Sequence, residues 1–140
     1  DPRVLVLDRT NIRHLTGDIV GEPTGLVVAD LSFISLTLVL PALSAVSKSD
    51  ADFLLMVKPQ FEVGRERLGA GGVVRDSALR KSAVLDVATS AYDVGLGTKG
   101  VVASSLPGPA GNVEYFLWLK RGAQEISEID LEKAIEIGPQ

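Results

Sequence analysis

A chain of 140 residues, 46% apolar and 23% charged, is long enough to bury one hydrophobic core and too evenly mixed for disorder. The absence of cysteine excludes a disulfide scaffold and any thiolate site, and the single histidine, His14, argues against a multi-histidine metal centre or a Ser-His-Asp hydrolase. With 14 basic against 18 acidic side chains the net charge is −4, which argues against a polybasic nucleic-acid arm but leaves room for a local basic patch.

In chain order, Val4-Leu5-Val6-Leu7 predicts a first strand, closed by the polar group Asp8-Arg9-Thr10-Asn11. Leu26-Val27-Val28-Ala29, preceded by Pro23 and Gly25 and closed by Asp30, predicts a second. Ile34–Val46 is long enough for a helix, and Pro41 inside it predicts a kink or a late start. Phe53-Leu54-Leu55-Met56-Val57 predicts a third strand, closed by Lys58-Pro59. Continuous apolar runs bounded by turn residues suit strands buried on both faces of a parallel sheet. Asp76 is a good N-cap for a long helix whose apolar face is Leu79, Ala83, Val84, Val87, Ala88 and Ala91, with Gly95 just past its end. Val101–Ala103 and Tyr115–Leu119 predict two closing strands, and Glu128–Ile137 a short tail helix. Strands alternating with helices predict a doubly wound α/β domain over residues 1–122, with 123–140 as a C-terminal tail. In such sheets ligands bind at the carboxyl ends of the strands. That rule singles out Asp8–Asn11, Asp30, Lys58 and the loop Pro107–Glu114.

Several features have plain explanations beside functional ones. Gly95-Leu96-Gly97-Thr98-Lys99-Gly100 matches the dinucleotide pattern G-x-G-x-x-G, but a helix precedes it and a strand follows, the reverse of what the fingerprint needs. A helix stop followed by a turn is the better account. Gly69-Ala70-Gly71-Gly72 lacks the lysine and hydroxyl of a P-loop and reads as a lid or hinge rather than a phosphate nest. His14, among polar loop residues, reads as a solvated surface group. Arg65, Arg67 and Arg75 form a basic cluster that is a solvated face on its own and a phosphate contact if it lies beside a strand-end site. Asp30 and Lys58 are sharper, since each ends an apolar run abruptly. An ion pair alone explains them about as well as a site does. Phe33 then puts an aromatic just past the carboxylate, and Pro59 stiffens the corner at the lysine.

No apolar window reaches the length of a membrane span, about 18 residues. The start, Asp1-Pro2-Arg3-Val4, has neither an initiator methionine nor the regions of a signal peptide. The expectation is a soluble, cytoplasmic protein and a piece of something longer.

Three stretches together resemble one family: Val28-Ala29-Asp30-Leu31-Ser32-Phe33-Ile34-Ser35-Leu36, Val57-Lys58-Pro59-Gln60-Phe61-Glu62-Val63-Gly64 and Gly108-Pro109-Ala110-Gly111-Asn112-Val113-Glu114-Tyr115. They resemble the TlyA-type, haemolysin-like ribosomal RNA 2′-O-methyltransferases with an FtsJ-like catalytic domain, and Asp8–Asn11 and Gly71–Val74 also fit. The resemblance runs to about Lys120. It implies a Rossmann-like class I methyltransferase sheet of order 3-2-1-4-5-7-6 with strand 7 antiparallel. Val4–Leu7, Leu26–Ala29, Phe53–Val57, Val101–Ala103 and Tyr115–Leu119 would be strands 3, 4, 5, 6 and 7. Strands 1 and 2 would fall before Asp1 and leave the sheet incomplete, with an edge open to self-association.

The resemblance also implies S-adenosylmethionine as cofactor, ribosomal RNA or a ribosomal subunit as partner, and a Lys-Asp-Lys-Glu tetrad acting on a ribose 2′-hydroxyl, by expectation that of a cytidine. On this sequence the tetrad's aspartate falls on Asp30, its second lysine on Lys58 and its glutamate on Glu114. Its first lysine, the glycine-rich methionine loop, the acidic strand end that holds the cofactor ribose and the small S4-like RNA-binding domain would all precede Asp1. The chain alone is therefore expected to be inactive. Thr10, Asn11, Asp30 and Leu31 would line the cofactor, Arg9, Arg65 and Arg67 would meet RNA phosphates, and Phe33 would stack on an extruded base; no metal is implied. A second reading is a non-catalytic RNA- or ribosome-binding module on a methyltransferase fold. A third, a membrane-lytic haemolysin, has no long apolar helix or basic amphipathic stretch behind it.

Overall fold

Three strands running one way and a fourth running back organise the chain in the computed structural model, which describes residues 1–139. They are β1 (Thr24–Ala29), β2 (Ser47–Val57), β3 (Leu96–Ala103) and β4 (Tyr115–Arg121), in the spatial order β1-β2-β4-β3. β1 pairs with β2 in parallel, while β4 is antiparallel to both β2 and β3. The helices are α1 (Gly17–Val20), α2 (Leu40–Ala45), α3 (Pro59–Glu62), α4 (Ser77–Asp93) and α5 (Glu128–Ile137), joined by short 3-10 turns. None of the helices among the described residues is long and apolar enough to cross a membrane.

The predicted elements form where local signals are strongest. Asp76 caps α4 by accepting the Ala78 N–H at 2.8 Å, and Ala83, Val84, Val87, Ala88 and Ala91 bury the predicted face. Gly95, at φ +85°, turns the chain out of α4. Pro41 sits in the first turn of α2, so this helix starts late rather than kinking, after a 3-10 turn at Leu36–Leu38. Ser127 caps α5, whose Leu131, Ala134 and Ile135 join the core, and Lys81 of α4 reaches Glu132 of α5 at 2.9 Å.

Three expectations are corrected. Val4–Leu7 forms no strand: Val4, Leu5 and Val6 are exposed, and the outer edge of β1 takes no partner among the described residues. A strand is held by a neighbour's hydrogen bonds, which this run does not have. The other strands are not buried on both faces. Alternate residues of β2 and β4 (Phe53, Leu55 and Val57; Tyr115, Leu117 and Leu119) pack under the helices, while Leu26, Val28, Leu54, Val102 and Trp118 stay exposed on the opposite face. Lastly, only Gly95 of the G-x-G-x-x-G run is a turn, because β3 already begins at Leu96. Gly97 is a strand residue whose Cβ would lie 1.9 Å from the Ala123 carbonyl oxygen, where the chain leaving β4 folds back and Gln124 accepts the Thr98 N–H at 2.8 Å.

Candidate active site

The reversal of β4 explains why three distant residues meet. Ala29 and Val57 end the parallel strands β1 and β2, and Val57 lies opposite Tyr115, the first residue of β4. The residues just after β1 and β2 and just before β4 therefore share one edge of the sheet: Asp30, Lys58 and Glu114. All three line a cleft of about 640 Å³ whose far wall is the segment Ser104–Pro109.

Lys58 is the centre of the polar arrangement. Its Nζ lies 2.5 Å from Asp30 Oδ1 and donates to Ser32 Oγ at 3.3 Å. The lysine side chain is only 10% exposed, whereas that of Asp30 is 67% exposed, so the carboxylate stands at the mouth of the cleft with the ammonium behind it. Glu114 is buried and oriented by Gln60, whose Nε2 donates to Glu114 Oε1 at 3.1 Å. Gly108 belongs to the same arrangement: a Cβ there would fall 2.5 Å from Glu114 Oε1, so glycine lets the loop pass without displacing the carboxylate from this position.

Two further side chains brace the loops. Buried Asn112 accepts the Val74 N–H at 3.0 Å and donates to Gly72 O and Pro109 O at 3.1 and 3.3 Å. It thereby clips the glycine segment to the loop that leads to Glu114, so the predicted hinge is anchored at its C-terminal end. Glu62, at the end of α3, accepts Ser35 Oγ–H at 2.5 Å and the Leu36 N–H at 2.9 Å. Burial pushes its carboxyl above the ordinary 4.5, opposed by these two hydrogen bonds and helped by the like charge of Asp86.

Phe33 stands at φ +62° and is 91% exposed, with its ring 5.0 Å from that of Phe61. Left-handed backbone at a bulky residue costs about 1–2 kcal/mol, a cost that the exposed ring does not offset by burial in the core. The remaining sequence candidates lie elsewhere. Thr10 and Asn11 are exposed and outside the cleft; Thr10 Oγ1 donates to Asp8 O, and Asn11 caps the 3-10 turn Ile12–His14 by accepting the Arg13 N–H. Arg9, at φ +55°, and His14 are exposed, and Leu31 is half-buried against the core. Arg65 and Arg67 are exposed on the turn Arg65–Arg67, while Arg75 donates to Ala70 O and braces the glycine segment.

Sequence reasoning missed Gln60, Glu62, Gly108 and Asn112 as parts of the site, although each lies within the stretches that drew attention. Their partners are remote in sequence, and a glutamate or glycine in a loop carries no local sign of what it will meet. Chemically, an exposed carboxylate beside a sequestered amine and a second, buried carboxylate can receive a cationic group at the mouth and move a proton within. No group of three or more His, Asp or Glu side chains among the described residues is arranged to hold a metal ion.

Comparison with known proteins bears on the whole chain. The profile of the FtsJ-like methyltransferases matches residues 1–121. The chain is 55% identical over 136 residues to the 16S/23S rRNA (cytidine-2′-O)-methyltransferase TlyA of Mycobacterium tuberculosis, covering 96% of this chain and 51% of that protein. It is 35% identical over 142 residues to YqxC of Bacillus subtilis, described as a candidate rRNA methyltransferase, covering 97% of this chain and 50% of the relative. The solved structure of a candidate hemolysin from Streptococcus thermophilus superposes with a TM-score of 0.91 at 32% identity, over 97% of this chain and 50% of that one. The chain thus spans about half the length of the relatives it matches.

Proposed function

The chain belongs to the FtsJ-like methyltransferase family, and from that premise we propose that it forms the catalytic portion of an enzyme that methylates ribose 2′-hydroxyls in ribosomal RNA. The observation that carries this reading is the meeting of Asp30, Lys58 and Glu114 in one cleft, with Lys58 Nζ 2.5 Å from Asp30 Oδ1. The names of the relatives agree with it, and extend it to cytidine as the target nucleotide.

S-adenosylmethionine, when bound, supplies an activated methyl group on a positively charged sulfur. The residues present fit one end of such a cofactor: the largely exposed carboxylate of Asp30 suits a neighbouring cation, and the cleft behind it is roomy. Thr10, Asn11 and Leu31 are proposed to complete this wall together with parts of the full-length protein outside this chain. Lys58 acts as the base. In its deprotonated, amine form it takes the hydroxyl proton at Nζ and becomes the ammonium that Asp30 pairs with, and a base is needed because a neutral hydroxyl is a weak nucleophile. Asp30 and Ser32 fix where Nζ points, and Glu114, held by Gln60, orients the hydroxyl from the buried side. Phe33 stacks on the target base, while Arg9, Arg65 and Arg67 contact phosphates.

In this reading β1, β2, β4 and β3 correspond to strands 4, 5, 7 and 6 of a seven-stranded methyltransferase sheet. Strands 1 and 2, the first tetrad lysine, the glycine-rich methionine loop and an S4-like RNA-binding domain belong to the other half of the protein. The unpaired edge of β1 and the exposed apolar face at Leu26, Val28, Leu54, Val102 and Trp118 support this, because open strand edges and contiguous apolar faces are normally covered. Calorimetry with S-adenosylmethionine, followed by transfer of labelled methyl to ribosomal subunits, tests the reading on the full-length protein and on this chain. The full-length protein should bind and methylate at a 2′-oxygen, and the chain alone should do neither. Binding of ribosomal RNA without methyl transfer by the full-length protein would establish the non-catalytic module instead.

A further inference from the structure

We propose that Glu62 is a positioning residue for the Lys58–Asp30 pair: its carboxylate clasps the segment after β1 to the helix after β2 and so holds Asp30, Ser32 and Phe33 in register with Lys58. The inference rests on the methyltransferase reading and adds to it a residue that touches neither substrate nor cofactor.

The segment Asp30–Ser35 is held at its two ends. It follows a sheet-edge strand and has no regular structure of its own. Asp30, Ser32 and Phe33 are all exposed, and Phe33 carries a left-handed backbone that an unrestrained chain would relax. At its start the segment is tied through Lys58, to Asp30 and Ser32. At its end it is tied through Glu62. Oε1 accepts the Leu36 N–H at 2.9 Å and Oε2 accepts the Ser35 hydroxyl at 2.5 Å, and Ser35 Oγ in turn accepts the Thr37 N–H at 3.2 Å. Lys58 and Glu62 bracket the single turn of α3, with Pro59 and Gln60 buried between them. One rigid corner therefore grips both ends of the loop. Hydrogen bonds to an ionised acceptor are among the stronger ones. They also explain why a carboxylate is tolerated in a half-buried position facing the like charge of Asp86 on α4.

A prediction separates positioning from charge. In Glu62→Gln both ties survive: the amide oxygen accepts the Leu36 N–H, the amide nitrogen donates to Ser35 Oγ, and the Ser35 proton turns to Thr37 Oγ1, 2.7 Å away. In Glu62→Ala both are lost. In the full-length protein, Glu62→Ala should lower kcat for methyl transfer by about 10- to 100-fold, the scale of a displaced reacting group, with the KM for S-adenosylmethionine within about threefold. Glu62→Gln should return kcat to within about threefold of wild type. Ser35→Ala, which severs one tie without touching α3, should fall between them. Hydrogen exchange at the Leu36 amide should quicken in Glu62→Ala and not in Glu62→Gln.

Unchanged exchange at Leu36 in Glu62→Ala overturns the clasp whatever the activity. Faster exchange with wild-type kcat overturns its positioning role, and a Gln variant as slow as the Ala variant overturns the mechanism in favour of a requirement for charge. A wild-type protein that transfers no methyl group overturns the functional reading itself and with it the positioning role, while exchange at Leu36 still reports whether the clasp exists.

Discussion

Lys58 and Asp30 form an ion pair with unequal surroundings: Nζ and Oδ1 are 2.5 Å apart, yet the lysine side chain is 10% exposed and the aspartate 67%. The two halves of the pair are therefore not equivalent to remove. Asp30 left alone is a hydrated carboxylate. Lys58 left alone is a sequestered ammonium with Ser32 Oγ at 3.3 Å. Asp30→Ala should cost about 2–3 kcal/mol of stability, toward the range for stranding a buried charge, and Lys58→Ala about 1 kcal/mol, mostly lost stem packing. Urea unfolding of both variants reads the difference. Equal losses, or a larger one for Lys58→Ala, would contradict the asymmetry.

Gly108 separates activity from stability. Its added Cβ would meet Glu114 Oε1 at 2.5 Å and Cδ at 2.6 Å, both at the free end of a side chain that can swing aside. Gly108→Ala should cost no more than about 1 kcal/mol in stability, because the carboxylate yields. Displaced from Gln60, Glu114 should no longer orient the hydroxyl, and turnover should fall about tenfold or more. Wild-type turnover by a folded Gly108→Ala protein would remove Glu114's position from the account.

Gly97 makes the opposite case. A Cβ there meets the backbone of Ala123 and Gln124, at 1.9 Å for the Ala123 oxygen and 2.6 Å for the Gln124 oxygen, and neither can rotate away. Gly97→Ala should destabilise the fold by about 3 kcal/mol, at the upper end of overpacking costs. A thermal midpoint within a degree or two of wild type would mean that the 122–124 segment is free to move.

These cases show which features the sequence displays by itself and which it cannot. β1, the core of β2, β4, α4 and α5 were legible because each is announced locally, by an apolar run or by a cap such as Asp76. Val4–Leu7 carries the same announcement and forms no strand, because pairing is decided by a neighbour rather than by the run. β2 also extends back to polar Ser47, which pairs with Thr24, an extension that only register reveals. In and around the cleft, Asp30 and Lys58 stand out as charges ending apolar runs. Glu62 and Gln60 do not, since their roles depend on Leu36 and Glu114, 26 and 54 positions away.

The raised carboxyl of Glu62 sets the sign of a pH effect. Burial lifts it above 4.5, so the folded protein keeps this proton over a window in which the unfolded chain has released it. The group's contribution to stability is then complete below its unfolded value and is lost as pH rises through the folded one. Glu62→Gln lacks that loss. The thermal midpoint of Glu62→Gln minus that of wild type should become more positive from about pH 4 to about pH 7. A constant difference, or one that becomes more negative, would contradict the assigned direction.

The central claim is that Lys58 takes the proton from a ribose 2′-hydroxyl. The most direct measurement is methyl transfer to ribosomal subunits by the full-length protein carrying Lys58→Ala, with calorimetric binding of S-adenosylmethionine measured on the same sample. The account predicts that transfer is abolished while cofactor binding stays largely in place, because Asp30 remains at the mouth of the cleft in water. Wild-type-like turnover by the Lys58→Ala protein would contradict it.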